Sequence, residues 1–325
     1  MPSILEAKKF FESTYLTPKY PITGIGIDHR NSSLIVYLTP SGGSCPTVNI
    51  PSNVYEYPVY TVCMEKPIPF IPQEDDINGT FTGGADVCSE GPNTGAQYRY
   101  RPLCGGISAS HYKVAAGTLG LIMKDIYTNR PVLLSNNHVF ANMSSLMNQR
   151  ALKGDAILQP SPSDMGTLAD KVATLERWIP YNEFADNLVD AAIAKPLPGM
   201  VSDDWPSMIL ANGTGQGFTI PEKLVSVTAP TAVRKYGRTG GVTAGTVIDW
   251  DFSTSMLYPT GLNVKYVDQL LIRIDTCAGD SGSVYLDNDD NVVGLHAGGA
   301  IINGQRYAVA NKIKNVTALL GLSLH

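Results

Sequence analysis

The chain has 325 residues, 43% of them hydrophobic and 16% charged, a globular composition with room for two cores at roughly 100 to 200 residues each. Its 24 Lys and Arg against 29 Asp and Glu leave a net charge of −5 with no basic run. A nucleic-acid or anionic-membrane surface is thereby excluded as the first expectation, and no apolar stretch of about 18 residues predicts a membrane span.

The apolar residues Ile4, Leu5, Ala7, Phe10, Phe11 and Tyr15 recur at helical spacing and Pro18 follows them, which predicts one amphipathic helix. Three β-rich runs come next, at 22–28, 33–39 and 54–62, with Pro58 restricting the third to an edge or a broken strand. Residues 1–65 thus read as a small α/β accessory domain. The TGIG at 23–26 lacks the third glycine of a dinucleotide fingerprint and any βαβ setting, so no nucleotide cofactor is expected.

Between 66 and 99 the chain turns to Pro, Gly, Asp and Asn and is expected to be a linker. From 100 to 325 many short apolar runs are separated by turn residues without an alternating helix signal, as in a mainly β barrel or sandwich. At the end Ile313, Val316, Leu319 and Leu320 share one helical face and predict a C-terminal helix.

The chemistry concentrates in CAGDSGS at 277–283, between two apolar runs. A Ser on a tight, Gly-flanked turn presents its Oγ outward. Its own N–H and that of Gly279 can together form an oxyanion hole for an acyl-transfer intermediate. Ser281 needs a base, and the base needs a carboxylate to orient it. His138 in VLLSNNHVFA and Asp190 in NLVDAAIA, each beside an apolar strand, supply them. Each residue alone is ordinary: a strand-end His, a strand-opening Asp, a GDSG turn. Together they stand in the chain order His, Asp, Ser of the chymotrypsin-like double barrels.

The segments AGTLGLIM, LLSNNHVFAN, GDAILQPS, VDAAIAKP, KYGRTGGVTAGTV and AGDSGSVYL together resemble trypsin-like serine peptidases of the group that includes the plant Narrow Leaf proteins and bacterial relatives. The resemblance spans about residues 100–325. It implies a chymotrypsin-like double β-barrel behind an accessory N-terminal domain, with His138 as base and acid, Asp190 orienting it and Ser281 as nucleophile. The expected partner is a polypeptide substrate, with no organic cofactor. No C-x-x-C or similar spacing points to a metal.

In secreted relatives of this kind the residue matching Cys277 is bridged to a later Cys, and none follows it here. The residue matching Asp280 is locked there by a new N-terminus, but no Ile-Val-Gly start is visible. Backbone N–H groups or an Arg such as Arg238 are expected to hold Asp280 instead. The five Cys, an odd and low count, together with an N-terminus lacking an apolar signal core, predict a reducing, cytoplasmic location.

Thr276 lies five residues before Ser281, and His296, in VGLHAGG, lies fifteen after it. That pair resembles the pocket of glutamyl endopeptidases and picornaviral main proteases, which implies cleavage after Glu or Gln. Asp275, six before Ser281, competes as the anionic floor of a pocket for Arg or Lys. A third possibility is a latent or self-processing fold that acts mainly as a binding module, with Glu90 followed by Gly91 as a candidate internal cut.

Overall fold

The computed structural model describes residues 2–69, 95–202, 209–211, 216–218 and 223–324. Helix α1 (Ile4–Tyr15) opens the chain, capped by Ser3 and Glu6, each binding the other's backbone N–H. Its apolar face, with Ala7 and Phe11, packs on β1 (Ile22–Asp28) and β2 (Ser33–Leu38), which pair antiparallel. Strand β4 (Tyr57–Cys63) runs parallel to β2, and β3 (Asn53–Val54) ends the sheet beyond it, so Pro58 lies in the second strand from the edge.

The first barrel is a seven-stranded sheet. It is built from β5 (Ser110–His111), β6 (Leu121–Asp125), β7 (Arg130–Ser135), β8 (Ala156–Leu158), β9 (Lys171–Trp178) and β10 (Ala192–Pro196), with the C-terminal β19 (Leu322–Ser323) as the seventh. The short helix α2 (Asn137–Phe140) follows β7 directly. Two short strands, β11 (Ile209–Ala211) and β12 (Gln216–Phe218), form a separate hairpin.

The second barrel uses β13 (Thr231–Gly237), β14 (Gly241–Leu257), β15 (Asn263–Arg273), β16 (Val284–Leu286), β17 (Val292–Ile302) and β18 (Gln305–Lys312). Their order β13-β16-β17-β18-β15-β14, closed by β13–β14 pairing, leaves no free edge around the ring. The expected C-terminal helix is α3 (Ile313–Leu320), ended by Gly321 in the left-handed region at φ 65°. After it β19 (Leu322–Ser323) returns to β6 of the first barrel.

The far half of β14 outruns the barrel and pairs with β1 through Gly24–Thr254 and Ile25–Ser253. Residues 1–65 therefore extend the sheet of the second barrel, making ten strands in all. Part of the stretch expected as a linker also joins β17, because Ile68 bridges to Gly299 there, as Met64 just before that stretch does to Ile302.

A disulfide joins Cys45 to Cys63, and Cys277 is itself disulfide-bonded, whereas Cys104 is a free thiol. These bonds run against the expectation of a reducing compartment, since disulfides persist where the surroundings are oxidising. The cysteine count could not show it, because pairing depends on which chain segments the fold brings together. Among the described residues no helix is long and apolar enough to cross a membrane.

Candidate active site

His138 sits on α2, where the chain leaves β7, and Asp190 sits just before β10, the strand that pairs with β7. The neighbouring strands bring His138 Nδ1 to 2.5 Å from Asp190 Oδ2, and the His138 N–H donates to Oδ1 at 3.2 Å. Two tyrosine hydroxyls complete the carboxylate's partners, Tyr181 on Oδ1 and Tyr258 on Oδ2, each at 2.9 Å. Burial, followed by the nearby Asp190 charge, pushes both phenols well above their ordinary range, so they remain donors. The backbone around Asp190 is held too: its N–H donates to Asn311 and its carbonyl accepts from Asn136.

Ser281 lies on the turn between the end of β15 and β16, pressed against the first barrel. Its carbonyl accepts the Thr118 N–H at 2.8 Å. Gly282, at φ 93°, has no room for a side chain, since a Cβ would come within 2.2 Å of Ser135 Oγ and 2.3 Å of the Thr118 carbonyl. Ser281 Oγ and His138 Nε2 are both buried without a hydrogen-bond partner among the described residues. Two unpaired polar atoms of this kind call for an explanation.

The turn's peptide planes are fixed from behind. The Ala278 carbonyl accepts from Thr239 Oγ1 at 2.5 Å, and the Asp280 carbonyl accepts the Ser283 N–H at 3.0 Å. In a trans peptide the N–H points opposite to its carbonyl, so these bonds turn the Gly279 and Ser281 N–H groups the other way. Neither donates within the described residues. Thr118 Oγ1 adds a bond to the Gly279 carbonyl at 2.7 Å.

Asp280 is held by backbone N–H groups as expected, those of Thr239, Gly240 and Cys277. The expected arginine is corrected to a lysine: Lys235 Nζ lies 2.6 Å from Asp280 Oδ2 with both side chains buried, whereas Arg238 pairs with Asp164. Burial alone raises the Asp280 carboxyl, but the Lys235 charge and the Gly240 N–H outweigh it and hold it below the ordinary range.

Thr276 Oγ1 and His296 Nε2 meet at 2.9 Å, and His296 Nδ1 lies 2.8 Å from the Tyr285 hydroxyl. Burial, then the Lys235 charge, pushes the imidazole down to about 3, so it is neutral at ordinary pH. Tyr285, raised far above its usual range by burial and by Asp280, stays protonated. Both ring nitrogens thus have a hydroxyl partner, Thr276 on Nε2 and Tyr285 on Nδ1. Asp275 does not join them: it is exposed and shares a surface hollow with Arg273 and Arg306. Adjacent residues of an extended chain face opposite sides, which separates it from Thr276. Glu90 and Gly91 lie outside the described residues.

No family model matches the chain, and no curated protein does. Among solved structures it is similar to a glutamic-acid-specific serine protease that uses a histidine triad in substrate binding, at 17% identity and a TM-score of 0.51, over 69% of this chain and 100% of that one. The chain has the chymotrypsin-like double-barrel fold. Weaker matches include a Cellulomonas bogoriensis chymotrypsin, at 16% identity over 68% of this chain and 97% of that one with a TM-score of 0.48. Another is a Nocardiopsis protease, at 15% over 68% of this chain and 98% of that one with a TM-score of 0.49.

Sequence reasoning missed Tyr181, Tyr258, Thr118, Thr239 and Lys235. Lys235 and Thr239 lay in a quoted motif, KYGRTGGVTAGTV, and Thr118 in another, AGTLGLIM; Lys235 stands two residues from a glycine whose face decides its direction. A Cβ on Gly237 would come within 2.3 Å of Asp280 Oδ1, and Lys235 shares that face of β13.

Proposed function

We propose that the chain is a serine endopeptidase, with Ser281 as nucleophile, His138 as general base and acid, and Asp190 orienting the imidazole. The observation that carries this reading is the pair of buried, unpartnered atoms, Ser281 Oγ and His138 Nε2, with Nδ1 tied to Asp190. A peptide whose carbonyl carbon meets Ser281 Oγ, with His138 Nε2 turned to that hydroxyl, gives both a role. Ser281 Oγ attacks the carbonyl carbon and its proton passes to His138 Nε2. The oxyanion is received by the Gly279 and Ser281 N–H groups, and His138 hands the proton to the leaving amine. Water then attacks the acyl-enzyme, gives a proton to His138, and Ser281 recovers it.

The specificity we propose is for Glu or Gln. His296 and the Thr276 hydroxyl are buried and bonded to each other; a substrate carboxylate or amide oxygen entering beside them would take up that hydrogen bond in place of the internal one, and such a site rejects side chains lacking an acceptor. The similar glutamic-acid-specific protease supports this, although the ring partners of His296 here are Thr276 and Tyr285 rather than further histidines. Trypsin-like cleavage through Asp275 is less supported, given its exposure beside Arg273 and Arg306. Affiliation with the Narrow Leaf group rests on the quoted segments, and the division into residues 1–65, 66–99 and 100–325 on composition. The disulfides favour an oxidising compartment over the cytoplasm.

The test is mass spectrometry of new N-termini in a denatured proteome treated with the protein or with Ser281→Ala. Cuts that vanish in the mutant and cluster after Glu or Gln are expected. Cuts after Arg or Lys would move the specificity to Asp275, and the absence of mutant-dependent cuts would favour the binding-module reading.

A further inference from the structure

The edge of β17 that faces the nucleophile turn is used in three successive pieces. Val292–Leu295 pairs with β16, and at His296 the same edge meets the turn itself, with the His296 N–H donating to the Ser283 carbonyl and the His296 carbonyl accepting the Gly282 N–H. Beyond that the chain's own residues 64–69 take over. Ile68 exchanges both backbone hydrogen bonds with Gly299, at 3.2 and 3.1 Å, and the Glu65 N–H donates to the Ile301 carbonyl at 2.9 Å.

The direction of this segment matters. Met64 faces Ile302 and Ile68 faces Gly299, antiparallel, so its N-to-C course runs toward His296 and the Ser281 turn. A peptide attacked by Ser281 at its carbonyl must approach with the same polarity, its residues before the cut lying along this edge. Pro67 and Pro69 lack an N–H, but alternate strand residues turn theirs away from the neighbour, and Ile68 between them supplies the one that is needed. The β17 side is shaped for a close backbone: a Cβ on Gly298 would come within 2.6 Å of the Ile68 carbonyl. A glycine inside a strand commonly marks such an approach.

Resting on the peptidase reading, in which the acyl side of an extended substrate pairs with this edge of β17, we infer that residues 64–69 occupy Gly298–Ile302 as an internal competitor. A substrate longer than about two residues before the cut must displace Ile68 to pair with Gly299, because neighbouring like-facing positions on a strand are two residues apart. The internal strand is tethered at high effective concentration, and the apparent affinity for such peptides is reduced by the fraction of molecules in which it is released.

The variant Ile68→Pro removes the N–H that Gly299 accepts. In the full chain carrying Ser281→Ala, binding of a fluorescein-labelled Met-Glu-Lys-Pro-Ile-Pro peptide, the sequence of residues 64–69, is followed by anisotropy with and without Ile68→Pro. Release of the edge is expected to tighten binding roughly ten-fold or more. Equal binding, or no binding to either form, overturns the inference.

A second pair, Ile68→Cys with Gly299→Cys, guards against misfolding. Hydrogen-bonded antiparallel partners stand about 5.5 Å apart at Cα, within disulfide reach. Locking the strand is expected to abolish peptide binding, while retained binding counts against competition. Labelling of Ser281 by a small alkyl fluorophosphonate, which needs no β17 contact, is measured in parallel on chains with Ser281 intact. Its failure would remove the peptidase reading, and normal labelling with unchanged peptide binding would remove only the internal competitor.

Discussion

Lys235 and Asp280 form a 2.6 Å ion pair with both side chains sealed from solvent. The cation that fixes the turn before Ser281 thus comes from β13, inside the barrel. Removing one partner of a buried pair strands the other, which costs about 3–5 kcal/mol. Lys235→Met is therefore expected to lower the unfolding free energy read from urea titration by that amount at neutral pH. The sign of the pH effect follows from a depressed folded value: the contribution is present above the ordinary carboxylate value of 3.8 and is lost as pH falls through the lower folded one. In Lys235→Met this acid-dependent loss should shrink, so the gap in stability between variant and parent should narrow as pH falls, as urea titrations from pH 7 to 3 would show.

Tyr258 donates to the same Asp190 oxygen that receives His138 Nδ1, and its hydroxyl also meets Tyr266 at 2.7 Å. As a positioning residue it acts through Asp190. Tyr258→Phe removes a hydrogen bond to a charged group, worth about 1.5–3 kcal/mol where it is retained through the reaction. We expect a fall in kcat of roughly ten-fold with KM little changed, and a shifted pH–kcat profile. An unchanged profile with a lowered melting temperature would assign the hydroxyl a purely structural role.

His296 is neutral in the fold, with its imidazole at about 3 against an ordinary 6.5. The unfolded chain takes up a proton between those values and the folded chain does not, so stability falls as pH drops through that window. His296→Gln removes this term. Its melting temperature should decline less between pH 7 and 4 than that of the parent, as calorimetry at matched ionic strength would show. Parallel curves would mean that His296 becomes protonated within the fold.

Gly120 holds the two barrels at contact distance. A Cβ there would come within 2.2 Å of the Gly282 carbonyl, one residue after Ser281. Backbone cannot give way as a flexible side chain can, so Gly120→Ala should displace the nucleophile turn. We expect fluorophosphonate labelling to slow at least about 100-fold, given how strongly misplacement of reacting groups affects rate, while the circular-dichroism spectrum stays that of the parent.

Local patterns carried most of what was legible in the sequence. Helix α1 followed from apolar spacing, although its capping box, Ser3 with Glu6, stood in the sequence as S-x-x-E and was passed over. His138, Asp190 and Ser281 were found because each stands in a short local context. Tyr258 was not, since it lies 68 residues from Asp190 in sequence and only the registers of β14 and β15 carry it there. Arg238 was preferred to Lys235 because side-chain direction on β13 depends on strand register, which composition does not contain. The prolines at 67 and 69 made Ile68 look like part of a surface connection, whereas a strand needs only its alternate N–H groups.

The join between β1 and β14 bears on how the chain would tolerate shortening. Ser253 and Thr254 meet β1 through backbone pairing, and their side chains are engaged by Lys8 Nζ at 2.7 Å and the Thr23 carbonyl at 2.6 Å. Without residues 1–65, the projecting half of β14 would be left as an unpaired ribbon edge with Phe252 uncovered from Tyr37. Such an edge is a template for sticking to other chains. The N-terminal layer therefore serves the second barrel as a hem, and trimming it would be paid in solubility before it was felt in the chemistry.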